Sequence, residues 1–159
     1  MTGGRRRLRA YRPEDFDAVG FFWVEAWAPV YPEIDFAARL PWLKERLAGL
    51  AARGVEVVVA VDQADAPCGL MTIDRNDGDL DQLCVAVGEK GGGLAKRLLD
   101  EAKALSPRAI TLIVNDRNVR AMRFYLREGF APSAPGETSG RGVSAAGFPT
   151  TKLRWRATS

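Results

Sequence analysis

Histidine is absent from all 159 residues. That excludes Ser-His-Asp and Cys-His catalysis and removes the commonest zinc ligand, so no metal site is expected. Acid and base chemistry is left to Asp, Glu, Tyr, Lys or a thiol. Cysteine is scarce too: Cys68 and Cys84 are too few and too widely spaced for a disulfide framework or a metal cluster. No stretch approaches the ~20 apolar residues of a membrane helix, and Met1 to Arg9 lacks the apolar run of a signal peptide. The expectation is a soluble cytoplasmic protein without a membrane partner. A basic stripe interleaved with aromatics is also missing. The net charge is only +3, and apart from Arg5, Arg6 and Arg7 the cations are scattered among acids. No nucleic-acid partner is expected, and the arginine cluster reads as a solvated terminus.

What is present is an ordinary globular composition, 47% hydrophobic and 27% charged, enough for one domain over 1–159 with a core at about 8–157. Residues 5–11 read as a strand. Arg12-Pro13-Glu14-Asp15 opens a helix carrying Phe16, Val19, Trp23, Ala26 and Val30 at helical spacing. Phe36, Leu40, Leu43, Leu47 and Leu50 predict a second helix, stopped at Gly54. The β-branched run 55–61, then 68–73 and 80–87, predict an antiparallel meander with a turn at 74–78. A helix from Leu94 to Leu105, a buried strand 110–114 and a helix 118–128 follow. A Pro/Gly/Ser-rich stretch, 132–149, reads as loose chain before an alternating strand at 151–156. The order is β-α-α-β-β-β-α-β-α-β, an α/β fold with one mixed sheet.

The most informative segment is a strand, a glycine turn and an amphipathic helix, from Leu80 through Gly91-Gly92-Gly93 to Leu99. Glycines let backbone approach a ligand, and a helix N-terminus offers unpaired N–H groups with a partial positive charge. Together they suit a phosphate, with Lys90 and Lys96 adding charge at the edges. Neither the P-loop pattern nor the dinucleotide fingerprint fits: Leu94 follows Gly93, and the last fingerprint glycine would fall on Lys96.

The spacing Lys90-x-x-Gly93-x-Ala95 resembles the acetyl-CoA pyrophosphate loop of the GNAT superfamily of N-acetyltransferases, [QR]-x-x-G-x-[GA], with Lys in place of Arg or Gln. Leu83-Cys84-Val85 is similar to that family's fourth strand, although the frequent proline is missing at Val87-Gly88. Downstream, Asn118-x-x-Ala121-x-x-Phe124-Tyr125-x-x-x-Gly129-Phe130 resembles the family's N-x-x-A-x-x-[FY]-Y-x-x-x-G-F helix. The resemblance implies a mostly antiparallel sheet splayed between the fourth and fifth strands, with acetyl-CoA as co-substrate in the gap. It implies binding through the backbone of Cys84, Val85 and Val87, the loop residues Lys90, Gly91, Gly92, Gly93, Leu94, Ala95 and Lys96, and then Asn118, Ala121 and Tyr125.

The implied reaction is direct attack of a primary amine, on a small molecule or peptide, upon the thioester in a ternary complex. An alkyl amine of pKa near 10.4 needs roughly 4.6 kcal/mol to be free at pH 7, so a base is required. Asp81 is the candidate, with Gln82 ordering a water. Tyr125 matches the family tyrosine that donates to the leaving sulfur. Trp27 and Tyr31, between Pro29 and Pro32 or just before them, lie where the family frames its acceptor. A non-catalytic CoA sensor of the same fold is the alternative, another phosphate-ligand enzyme a third, and a homodimer is allowed. Cys84, with no histidine to activate it, reads as a packed residue and not as a nucleophile.

Overall fold

The computed structural model describes residues 5–133, 141–144 and 147–158. Strand β1 (Arg7–Ala10) leads through a 3₁₀ turn at Pro13–Asp15 into α1 (Phe16–Trp27), and α2 (Leu40–Ala52) follows a second such turn at Ala37–Arg39. Three strands come next: β2 (Glu56–Val61), β3 (Pro67–Ile73) and β4 (Leu83–Val85). Then α3 (Leu94–Leu105), β5 (Ala109–Asn115) and α4 (Val119–Arg127) lead to the short β6 (Ala131–Pro132) and β7 (Arg141–Val143) and the long β8 (Pro149–Arg156).

The strands form two antiparallel sheets. One runs β1-β2-β3-β4; in the other β8 pairs with β5, β6 and β7. The predicted order holds, with β6 added at the start of the stretch read as loose and β7 inside it; residues 134–140 and 145–146 of that stretch lie outside the described residues. Both additions use β8 as their template, which a local composition reading does not reveal.

Strand β2 is buried on both faces, so it reads as a continuous apolar run and not an alternation. Val57, Val59 and Val61 pack toward α1 and α2 with Val19, Leu43 and Leu47. Val58 and Ala60 pack on the opposite side, with Leu94, Leu98, Leu99 and Ala102 of α3. The i, i+4, i+5, i+8 spacing of those four puts them on one face of α3 and lays it along the sheet.

The arginine cluster is not simply solvated. Arg6 donates twice to Glu89 (3.1 and 2.9 Å), and the backbone carbonyl of Arg6 accepts from Arg97. Arg7 and Arg9 share Asp65, and Arg9 grips the buried Asp15 with two bonds of 2.8 and 2.9 Å. These pairs tie β1 to the loop ahead of α3 and to the α1 entry. Among the described residues no helix is long and apolar enough to cross a membrane.

Candidate active site

The segment predicted as one strand, 80–87, divides its pairing between both sheets. At its start the Leu80 N–H donates to the Thr111 carbonyl and the Thr111 N–H to the Gly78 carbonyl (both 2.9 Å), a parallel bridge to β5. Two residues on, the chain has switched to β3: Thr72 N–H donates to Gln82 O and Ala86 N–H to Cys68 O (both 2.9 Å). The sheets therefore touch at 78–80 and part beyond, which is why only Leu83–Val85 forms a strand.

Antiparallel pairing alternates, so the backbones of 82, 84 and 86 all turn toward β3. This corrects one expectation: the Cys84 backbone, opposite Leu70, is committed to β3. Leu83 and Val85 present their N–H and C=O to the gap instead. Val87 is corrected as well. It opens a 3₁₀ turn, Val87–Glu89, its carbonyl accepts from Lys90 N–H (3.2 Å), and its side chain is half exposed.

A cavity of about 540 Å³ follows the gap on one side, bounded by Val85, Lys90, Gly91, Gly93, Ala95 and Lys96 among others. Gly91 and Gly93 both have φ +84°, a left-handed conformation that glycine adopts without the penalty of a Cβ. Those torsions bring the chain round so that α3 starts at Leu94 with its end toward the cavity. The first intrahelical bond runs from Arg97 N–H to Gly93 O (3.0 Å), so the N–H groups of Leu94, Ala95 and Lys96 precede the ladder. Gly92 turns away, its N–H bonded to Glu89 O (3.2 Å), and lies outside this cavity. Lys96 ion-pairs with Asp100 (3.3 Å) and Glu128 (3.1 Å) across the rim.

A second cavity, about 650 Å³, lies on the other side of the gap. Its walls are largely aromatic: Trp23, Trp27, Tyr31, Phe36, Trp42 and Phe148. Trp27 stacks between Tyr31 (6.3 Å) and Phe36 (6.0 Å). Tyr31 is buried against Phe148 (4.5 Å), while Arg117 lies over both rings at 4.5 and 4.8 Å and pairs with Glu33 (2.7 Å). Trp27 and Tyr31 thus belong to the wall and to the core of this half at once. The two cavities share Trp27, Leu83, Asn118, Ala121 and Tyr125, and so form one passage through the splay.

Tyr125 stands at that junction, 7% exposed, packed between Phe124 and Phe130. Burial, and after it the nearby Cys84, holds its phenol well above the usual value of 10.0, so it is a neutral O–H donor throughout the physiological range. Asn118 caps α4, its Oδ1 accepting from the Ala121 N–H (3.2 Å), and this fixes the helix that carries Tyr125. Burial pushes the Cys84 thiol up to about 12 and Cys68 to about 11, which leaves neither as a thiolate nucleophile.

Asp81 and Gln82 line the aromatic cavity, but Asp81 is already engaged. Arg46 of α2 grips it with Nη2 to Oδ1 (2.7 Å) and Nε to Oδ2 (3.1 Å), and Gln82 Nε2 donates to Oδ2 (3.2 Å). With two lone pairs per oxygen, Oδ2 is saturated and Oδ1 keeps one acceptor site. Arg46 was not foreseen; it lies 35 residues away, and its only sequence signal is a charge among the leucines of α2. Among the described residues no His, Cys, Asp and Glu cluster could hold a metal ion.

The model of a GNAT acetyltransferase domain matches residues 40–151, more than two thirds of the chain. The peptidyl-lysine N-acetyltransferase YjaB of Salmonella typhimurium is 32% identical over 84 residues, 53% of this chain and 56% of that protein. The matching part of the chain thus spans about half the length of that curated relative. Among solved structures, apo YjaB from Escherichia coli superposes with a TM-score of 0.74 at 22% identity, covering 98% of this chain and 100% of that one. The PaiA N-acetyltransferase from Thermoplasma acidophilum in complex with coenzyme A gives 0.74 at 18%, covering 96% and 99%. Family model, fold and the two cavities joined at Tyr125 agree: the chain belongs to the GNAT family of acetyltransferases.

Proposed function

We propose that the protein is an N-acetyltransferase that moves the acetyl group of acetyl-CoA to a primary amine by direct attack. The observation that carries this reading is the passage through the splay: a glycine-loop cavity and an aromatic cavity meet at one buried phenol. The pyrophosphate of acetyl-CoA would take the first-turn N–H groups of Leu94, Ala95 and Lys96, with Lys90 beside them. The pantetheine amides would pair with the gap-facing backbone of Leu83 and Val85, and one of those N–H groups would meet the thioester oxygen as it becomes an oxyanion.

The acceptor enters from the aromatic side and loses a proton before attack. The free site on Asp81 Oδ1 accepts from the ammonium or from a water, and Arg46 and Gln82 keep that oxygen in place. Attack on the thioester carbon gives a tetrahedral intermediate whose nitrogen sheds its second proton to water. Collapse breaks the C–S bond, the Tyr125 hydroxyl donates its proton to the departing sulfur, and water returns a proton to the phenolate. Two readings of the fold part on one assay. A transferase releases CoA thiol from acetyl-CoA only when amine is added, with acetylated amine as product by mass spectrometry. A CoA sensor binds acetyl-CoA and releases none.

A further inference from the structure

Among the described residues, the wall of the aromatic cavity carries one cation that meets no carboxylate, Arg39. Among the described residues the only charged groups of that wall are Asp81 and Arg39. Asp81 is neutralised by Arg46, whereas Arg39 has no carboxylate partner among the described residues. Arg39 stands over the Phe36 ring at 5.8 Å; Phe36 meets Trp23 edge-on at 5.4 Å, and Trp23 lies 6.4 Å from Trp42. A guanidinium that meets no carboxylate on an aromatic wall favours a ligand anion beside it. Arg39, Trp23 and Trp42 line the aromatic cavity and not the glycine-loop cavity, whereas Tyr125 lines both.

We propose that the acceptor is an amphipathic amino-carboxylate: a primary amine at Tyr125, an apolar or aromatic body, and an anionic oxygen group read by Arg39. The proposal rests on the transferase reading for the amine's position. Polyamines are disfavoured, because their additional ammonium groups would meet an uncompensated guanidinium and, among the described residues, no wall carboxylate besides Asp81. The exposed faces of Trp42 (51%) and Ile113 (67%) give the body of such a molecule apolar surface to cover.

The test compares matched pairs with and without the carboxylate. Binding of the products 4-(acetamidomethyl)benzoate and N-benzylacetamide is measured by calorimetry in the presence of CoA, and kcat/KM for 4-(aminomethyl)benzoate, benzylamine and spermidine by thiol release. The expected preference for the carboxylate member is about 10–100-fold in both assays. Arg39→Gln should cut it to below threefold by weakening only the carboxylate member, and Arg39→Lys should restore part of it. Equal binding of the two products, an unchanged preference in Arg39→Gln, or spermidine as the best acceptor would overturn the proposal. The calorimetric preference needs no turnover. Absence of acetyl transfer with the preference intact would therefore count against the transferase reading alone.

Discussion

Gly93 and Gly54 form a natural experiment. Both have φ +84°, and a Cβ built on either meets nothing within 4 Å, yet one stands at the candidate phosphate loop and the other at the distant end of α2. Alanine at either position incurs the left-handed penalty of about 1–2 kcal/mol, partly offset by about 0.4–1 kcal/mol of lost freedom in the unfolded chain. A net cost near 1 kcal/mol lowers Tm by roughly 2–4 °C in a domain of this size. Neither variant introduces a clash, so both should fold and melt alike. Their CoA affinities should differ. The added methyl at position 93 occupies open space that the pyrophosphate needs, so Gly93→Ala should weaken CoA binding by tenfold or more, about 1.4 kcal/mol. Gly54→Ala should bind as the parent does. Calorimetric titration with CoA on variants of matched Tm reads the difference, and equal affinities would refute the placement of the pyrophosphate at 91–96.

Tyr125→Phe keeps the packing against Phe124 and Phe130 and removes only the hydroxyl, so kcat should fall by about 10²-fold with CoA affinity nearly unchanged; full activity with a good amine would reduce Tyr125 to a packing residue. Cys84→Ala should retain most of its turnover, and because burial raises Cys84 to about 12 and Cys68 to about 11, iodoacetamide should leave both unmodified in the folded protein at pH 8. Asp15 is held below its ordinary 3.8, first by hydrogen bonds from Arg9 and, after the opposing cost of burial, by the Arg12 N–H. A depressed folded-state value means the stabilisation is complete above about pH 4 and fades as pH falls through the folded value. Asp15→Asn should therefore cost about 3 kcal/mol at pH 7, with the gap from the parent narrowing only below pH 4; a gap constant to pH 2 by chemical denaturation would contradict this.

Much of the candidate site's framework was legible because its parts are local. The glycine turn, the amphipathic α3 and the Asn118–Phe130 helix each lie within a dozen or so residues, and periodicity or a motif is enough to mark them. What escaped depends on pairing across the chain. Arg46 reaches Asp81, Arg6 reaches Glu89 over 83 residues, and Arg117 lies over the touching rings of Tyr31 and Phe148, which come from opposite ends of the sequence. The apolar run at 80–87 marked a strand, but hydrophobicity does not tell which neighbour each residue pairs with. The change of partner between Leu80 and Gln82 both shortens β4 and opens the gap. For the same reason Cys84, chosen for its place in a motif, turned out to spend its backbone on β3, and Leu83 took its place facing the gap.

Direct transfer between two cavities that meet at Tyr125 has a distinct kinetic signature. Initial rates of thiol release, measured over a matrix of acetyl-CoA and 4-(aminomethyl)benzoate concentrations, should give intersecting double-reciprocal lines, because both substrates must be bound before the acetyl group moves. Parallel lines, the mark of an acetyl-enzyme formed before the amine arrives, would contradict the account.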